Sequence, residues 1–374
     1  MDSETTESAK GSLQRTPLHA AHLAWGARMT AFAGWEMPVQ YSGILQEHLA
    51  VRTRGGLFDL SHMGRILLRG KAALSLIQRL TTNDASKLVE GQAQYSAICY
   101  PQGTFVDDIL VYKLAEGEFM ISSNAINREK DFHWLREHKE GEVNVEDESQ
   151  DLAQLALQGP MAPEILATIT PLDLARIKYY RFGRGAVDGI QTLISRTGYT
   201  GEDGFELYFS AREAEHLWEK ILSAGKLLGL LPAGLGSRDT LRLEAGMCLW
   251  GQDIDDQHTP IEADLGFIVK PSKGDYVGRE VHLRQLQEGT AVKLGGLEMV
   301  GRGVPRPHHK IFRGGRLIGQ VTSGNFAPFL KKFIGLAYVQ TADSAAGTEI
   351  EIEIRNQQIP ARIVATPFYH RRRP

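Results

Sequence analysis

Residues Glu349 to Ile354 read Glu-Ile-Glu-Ile-Glu-Ile. Strict alternation of a charged and a β-branched residue has period two, the period of a strand and not of a helix. Such a segment is satisfied in a sheet with one wet face and one dry face. Arg355-Asn356-Gln357-Gln358 can turn the chain, and Ile359–Ala365 can return it. Val292–Val300, Arg316–Thr322 and Phe333–Val339 are also strand-like, and Gly314-Gly315 supplies a hairpin turn. The C-terminal part of the chain therefore predicts a small all-β domain. The change of character falls within Pro271–Gly289, a polar stretch rich in Lys, Gly and Gln.

Upstream, strand-like and helix-like segments mix without a fixed repeat. Arg65–Arg69 and Gln94–Tyr100 read as strands. The turn Pro101-Gln102-Gly103 follows, then the strand-like run Phe105–Leu114. Asn127–His138 predicts a helix with Phe132 and Leu135 on one side. Ser210 and Glu213 have capping-box spacing ahead of the apolar face Ala214, Leu217, Trp218, Ile221 and Leu222. A further helix is expected over Ser237–Ala245, stopped by Gly246. At about 150 residues per domain, 374 residues predict two to three domains.

The composition excludes several classes. With 42% hydrophobic and 23% charged residues the chain is neither disordered nor collagenous. Its net charge, 42 − 45 = −3, gives no electrostatic case for nucleic acid. Only Cys99 and Cys248 occur, so there is no disulfide framework and no zinc-finger spacing. No apolar run approaches the ~20 residues of a membrane span. The first sixteen residues lack the apolar centre of a signal peptide, and carry Asp2, Glu4 and Glu7. They read as a loose tail on a cytoplasmic protein. There is no G-x-x-x-x-G-K-[ST] phosphate loop and no H-E-x-x-H metal helix. Gly183-Arg184-Gly185 lacks the third glycine of a dinucleotide site, and His308-His309 reads as a solvated loop. No metal and no nucleotide are expected.

Three segments hold candidate chemistry. Asp107-Asp108 interrupts an apolar strand, where a buried charge must be paired, hydrogen-bonded or neutralised. Consecutive strand residues face opposite sides, so at most one enters any given pocket; otherwise both sit in water at an edge or turn. The stretch Thr197–Glu206 sets two acids and a tyrosine among three glycines. It suits either a polar hairpin loop or a close approach to a ligand, where a carboxylate accepts paired hydrogen bonds from a planar N–H edge. In Gly234–Gly246, Arg238 stands at a helix start and Arg242 one turn on. Like charges so placed repel, so at least one needs an acidic partner or a ligand.

Taken in order, these segments resemble the T-protein of the glycine cleavage system, an aminomethyltransferase family. The matching stretches include Phe32-Ala-Gly-Trp-Glu-Met-Pro38, Leu57-Phe-Asp-Leu-Ser-His-Met63, Val106-Asp-Asp108, Ser195-Arg-Thr-Gly-Tyr-Thr-Gly-Glu-Asp-Gly204 and Gly236-Ser-Arg-Asp-Thr-Leu-Arg-Leu-Glu-Ala-Gly246. Their order and spacing from about residue 13 onward make the match specific. The resemblance implies an α+β fold, a three-domain cloverleaf around a central folate pocket with a C-terminal β-barrel. The expected division is residues 1–62 plus 153–245, residues 63–152 carrying the catalytic aspartate, and residues 246–374 as linker and barrel. It implies transfer of the methylene of S-aminomethyl-dihydrolipoyl H-protein to tetrahydrofolate. The products are 5,10-methylenetetrahydrofolate, ammonia and dihydrolipoyl H-protein, with P-protein and L-protein as functional partners.

The resemblance also implies residue roles. Asp108 corresponds to the family's essential aspartate, and Asp107, facing the other way, is expected to be structural. Tyr95, Tyr112, Asn124 and Tyr199 are expected around the folate, with Glu206 on the pterin edge and Arg238 as an anchor. The tail His370-Arg371-Arg372-Arg373 is expected near the folate glutamate, and Met247 replaces an aromatic residue of some relatives. Folate-binding relatives that maintain iron–sulfur proteins are the alternative. Against their Lys-Gly-Cys-Tyr-x-Gly-Gln-Glu pattern this chain has Gly246-Met-Cys-Leu-Trp-Gly-Gln-Asp253, without the lysine and tyrosine. The folate modules of sarcosine and dimethylglycine dehydrogenases carry a flavin domain for which this chain has neither the length nor the motif.

Overall fold

The computed structural model describes residues 12–371. Its first sheet has six strands, in the order Phe182–Val187, Ile190–Ser195, Gly204–Ser210, Leu152–Gln158, Gly55–Asp59 and Leu230–Pro232. All neighbours pair antiparallel except the last two, which run parallel. The helices His19–Ala24, Ala162–Ala167 and Ala214–Gly225 cover one face, burying Leu18, Ile165, Leu217, Trp218 and Ile221 against Leu155, Leu157 and Leu207. The predicted apolar face of the helix at 214–225 is the buried one. The capping box is not formed: Ser210 is extended, its side chain caps nothing, and a 3-10 turn over Ala211–Glu213 makes the entry instead.

The second sheet has five strands, in the order Gln92–Cys99, Phe105–Ala115, Glu118–Ser123, Gly64–Arg69 and Asn144–Asp147. The helices Ala73–Leu80 and Arg128–Glu137 close its back over Ile66, Leu68, Ile98, Val106, Val111 and Ile121. The two sheets meet through Leu67, Ala93, Tyr112, Met120, Phe182 and Tyr208. The segment after Gly246 then packs back on the second sheet, where Ile254, Ile268 and Tyr276 bury Ala97, Cys99 and Phe105. Lys273 fixes that crossing by donating to the carbonyls of Gln78 at 2.7 Å, Asn83 at 3.0 Å, and Thr81. The polar stretch at 271–289 is thus docked structure, and includes the helix Arg279–Glu288.

The C-terminal strands close a six-stranded barrel in the order Val292–Met299, Lys332–Gln340, Arg316–Ala327, Lys310–Arg313, Glu349–Ile354 and Gln357–Val364. Val292–Met299 pairs with Gln357–Val364 to complete the ring. Ile350 and Ile352 point into the barrel core. Gly314-Gly315 and Arg355-Asn356 both turn with positive φ across two-residue hairpins. These are the turns that match the strand twist.

Ionic contacts tie the parts together. Arg52 donates to Glu244 at 2.9 Å, to Glu202 at 2.9 Å and to the Thr200 carbonyl at 2.7 Å. His48 lies 3.2 Å from Glu244. Arg242 pairs with Asp253 at 2.6 Å and Asp239 at 2.7 Å, and donates to Ser323 of the barrel at 2.9 Å. The N-terminal stretch is less loose than its sequence reads: Arg15 pairs with Glu36, and Thr16 donates to the buried Asp59 at 2.7 Å. Residues 1–11 of that expected tail lie outside the described residues. No helix among the described residues is long and apolar enough to cross a membrane.

Candidate active site

Between the two sheets and the 246–268 segment lies a cavity of about 660 Å³, within the size range of roughly 300–1,000 Å³ usual for small-molecule sites. Its lining, from Phe32 at a hairpin tip to Ile268, comes from outside the barrel, and barrel residues pack against Leu243 and the lining residue Cys248. In a wider surface groove of about 1030 Å³ near Trp25 and Leu45, the charged residues Arg54, Glu219 and Lys226 are all exposed. The acids Asp108 and Glu206 line the inner cavity.

Asp107 and Asp108 sit in the middle of the second sheet, where Phe105–Ala115 pairs with Gln92–Cys99. Strand alternation sends them to opposite sides. Asp108 opens to the cavity, and Asp107 is fully buried behind the sheet. Tyr95 donates its hydroxyl to Asp108 at 2.9 Å, and Asn124 Nδ2 donates to Asp108 Oδ1 at 2.7 Å. The same Nδ2 reaches Asp107 Oδ1 at 2.8 Å. Asp107 also accepts from the Asn124 backbone N–H at 3.0 Å and from Asn127 at 2.6 Å. Burial and then the negative charge of Asp107 push the Asp108 carboxyl up to about 7, with Tyr95 and Asn124 opposing. A carboxyl so placed exchanges a proton near neutral pH. Asp107 faces away as expected. Its charge raises the Asp108 carboxyl, and the Asn124 amide contacts both acids.

Across the cavity, the strand Gly204–Ser210 presents Glu206. Thr197 donates to Glu206 at 2.5 Å and Gln154 at 3.4 Å. Burial raises the Glu206 carboxyl, and these donors and the Arg238 charge offset only part of that. Arg238 lies on the helix Leu235–Glu244 with its guanidinium 4.6 Å from the centre of the Tyr199 ring. It makes no ion pair among the described residues. Arg242 is the member of that pair held by acids. Tyr199 is fixed by its hydroxyl, which donates to the Cys248 carbonyl.

Six of the seven expected residues therefore line one cavity: Asp108, Tyr95, Asn124, Tyr199, Glu206 and Arg238. Tyr112 does not line it. Tyr112 shares a strand face with Asp108, but that face is covered there by Phe182 and Tyr208, and its hydroxyl lies 3.1 Å from that of Tyr208. It reaches the site only through Thr197, at 3.4 Å. Of the basic tail, Arg371 lies 3.4 Å from Asp203, while Arg372 and Arg373 lie outside the described residues.

The sequence singled out neither His62 nor Phe267. His62 is buried on the wall with Nδ1 unpartnered, and burial holds its imidazole down at about 3, Asp59 opposing only in part. It is a neutral ring beside Arg238. Phe267, Ile126 and Tyr179 are exposed apolar side chains on the rim. A histidine within Leu57–Met63 was the only available sign of the first; nothing in the sequence pattern marked the second.

Comparison with known proteins gives a consistent picture. The GCVT N-terminal domain model matches residues 18–273, and the glycine cleavage T-protein C-terminal barrel domain model matches residues 293–370. A protein named aminomethyltransferase from Geobacillus sp. is 51% identical over 361 residues, spanning 96% of this chain and 99% of its own length. One of the same name from Symbiobacterium thermophilum is 51% identical over 372 residues, with the same coverage. The crystal structure of glycine cleavage system aminomethyltransferase T from Bartonella henselae has a TM-score of 0.91 to this fold, at 36% identity. That match covers 96% of this chain and 99% of that one.

Proposed function

The chain belongs to the glycine cleavage T-protein family, and on that premise we propose how its cavity serves the reaction of an aminomethyltransferase. The enzyme transfers a one-carbon unit to tetrahydrofolate, which is a co-substrate. The lipoylated H-protein presents the aminomethyl group, with P-protein and L-protein completing the system.

The observation that carries the assignment of roles is Asp108, a cavity carboxyl poised at about 7 between Tyr95, Asn124 and the Asp107 charge. As the methylene passes from sulfur to the reduced pteridine, positive charge develops on the carbon and its nitrogens. Ring closure also releases a proton. Ionised Asp108 steadies the cation and can accept that proton. Tyr95 and Asn124 hold the carboxylate in place. Glu206 accepts the N–H edge of the pterin, and neutral His62 and Gln154 carry buried polar atoms without partners at the same wall. Buried polar atoms of this kind are costly unless a ligand meets them. Arg238, stacked on Tyr199, anchors the ligand's polar or anionic groups.

We place Tyr112 behind the wall as a support of Thr197 and Glu206. We also keep three units: residues 1–62 with 153–245, which carry the first sheet; residues 63–152, the second sheet; and residues 246–374, the docked segment and barrel. A cytoplasmic setting agrees with two free cysteines, Cys99 and Cys248.

The deciding experiment is ammonia release from aminomethylated lipoyl carrier with and without tetrahydrofolate. A folate-dependent burst supports transfer. Tight folate binding without release would favour the iron–sulfur maintenance class instead.

A further inference from the structure

We propose that Asp131, behind the second sheet, is a positioning residue for the transfer: it keeps its proton and hydrogen-bonds Asp107, so that the charge of this buried pair stays on Asp107, next to Asp108. The inference rests on the reading of Asp108 given above, but it concerns a different group.

Asp131 lies in the helix Arg128–Glu137 and is fully buried. In sequence it looks like an ordinary first-turn acid, favoured by the helix dipole. In the fold its side chain turns inward against Asp107 and Ser123. Neither of its carboxyl oxygens has a well-formed hydrogen bond; the Ser123 hydroxyl beside it, itself without another partner, is the one donor facing it. Asp107 has three, from the Asn124 backbone, the Asn124 amide and the Asn127 amide. Two carboxylates in contact in a dry interior cannot both ionise. The donors decide which one does. Three N–H groups stabilise the anion of Asp107, against the single Ser123 hydroxyl and the more distant Lys130 charge for an anion of Asp131. The protonated acid at Asp131 then has a partner for its own O–H. Burial and the Asp107 charge both drive Asp131 towards the neutral form.

The other groups around this line do not reverse the order. The Lys130 charge favours an Asp131 anion, but its ammonium lies over the Trp250 ring, 4.4 Å from the centre, and makes no ion pair with Asp131. Tyr95, Tyr180, Tyr199 and Cys248 face Asp108, and burial raises all four, keeping them neutral. Asp107 is left as the anion closest to Asp108.

Two measurements on the full chain test this. Infrared spectra of protein labelled with carbon-13 at aspartate carboxyls report protonated acids directly. At about pH 8, above the Asp108 transition, the protonated-acid band persists in wild type and in Asp108→Asn, and disappears in Asp131→Asn. No band in wild type, or a band that survives in Asp131→Asn, overturns the proposal. The second measurement is the pH–rate profile of single-turnover transfer. Asp131→Asn keeps a neutral donor, so its acid limb stays in place. Asp131→Leu removes the donor, diverts protons to Asp107 and moves the limb down by about one unit. A downward shift in Asp131→Asn would mean that Asp131 was ionised, and unshifted limbs in both variants would remove the positioning role. Loss of the Asp108 reading has its own sign, undiminished turnover in Asp108→Asn, and leaves the infrared result standing.

Discussion

Two buried charge clusters sit within one chain and are built to opposite rules. Around Glu244 every charge is matched. Burial would raise the Glu244 carboxyl, but His48 and Arg52 outweigh it and hold it below its ordinary range. Arg242 is likewise kept charged by Asp253 and Asp239 despite its burial. Around Asp108, four acids, Asp107, Asp108, Asp131 and Glu206, lie buried or in the cavity with no ion-pair partner among the described residues. Burial raises all four. The first cluster joins the helix Ile44–Thr53, the helix Leu235–Glu244 and the barrel. The second lies on and behind the cavity wall. Matched charge holds the molecule together. Unmatched charge costs stability and is kept where chemistry needs it.

The contrast predicts opposite outcomes for similar substitutions. Glu244→Ala strands Arg52 in a dry interior and frees the backbone N–H of Phe329. It is expected to cost about 3–5 kcal/mol of stability, read by thermal or denaturant melts; a loss within error would end the distinction. Glu206→Ala should leave the melt nearly unchanged and raise the folate dissociation constant by one to two orders of magnitude, about 1–3 kcal/mol for a charged hydrogen bond. Calorimetry showing an unchanged constant would remove Glu206 from the pterin edge. Asp107→Asn takes away the charge that raises Asp108. The acid limb of transfer should move to lower pH, and an unmoved limb would mean that Asp107 is only structural.

Stability should also depend on pH with a definite sign. Asp108 has a folded value near 7 against an ordinary 3.8. The folded state therefore binds more protons between these values, and its stability falls as pH rises through that window. Removing the charge should make Asp108→Asn more stable than wild type above pH 7, with the advantage fading towards pH 4.

Much of this was legible in the sequence for local reasons. Alternation at Glu349–Ile354 has a single structural solution, and the barrel strand follows. The apolar face at Ala214–Leu222 was readable because its period is set by the helix alone. The Ser210 cap was not, because the strand ending at Ser210 holds that residue extended. Tyr112 was misplaced for a related reason. Alternation gives the face of a residue, not what covers that face, and Phe182 comes from the other sheet. The matched cluster was half visible: repulsion between Arg238 and Arg242 demanded an acid, but Asp253 and Ser323 reach Arg242 only through the fold. Asp131 gave no sign, since its first-turn position explains an acid without any partner.

The central claim is that Asp108 is kept for chemistry at a cost to the fold. Single-turnover transfer from aminomethylated H-protein by Asp108→Asn, with folate binding and the melt measured on the same sample, tests it most directly. The account predicts a rate loss of about 10²–10⁴-fold, as for removal of a positioned acid–base group, with folate binding weakened far less and a melt equal to or above wild type at pH 8. Wild-type turnover, or a lower melting temperature that accounts for the lost activity, would contradict it.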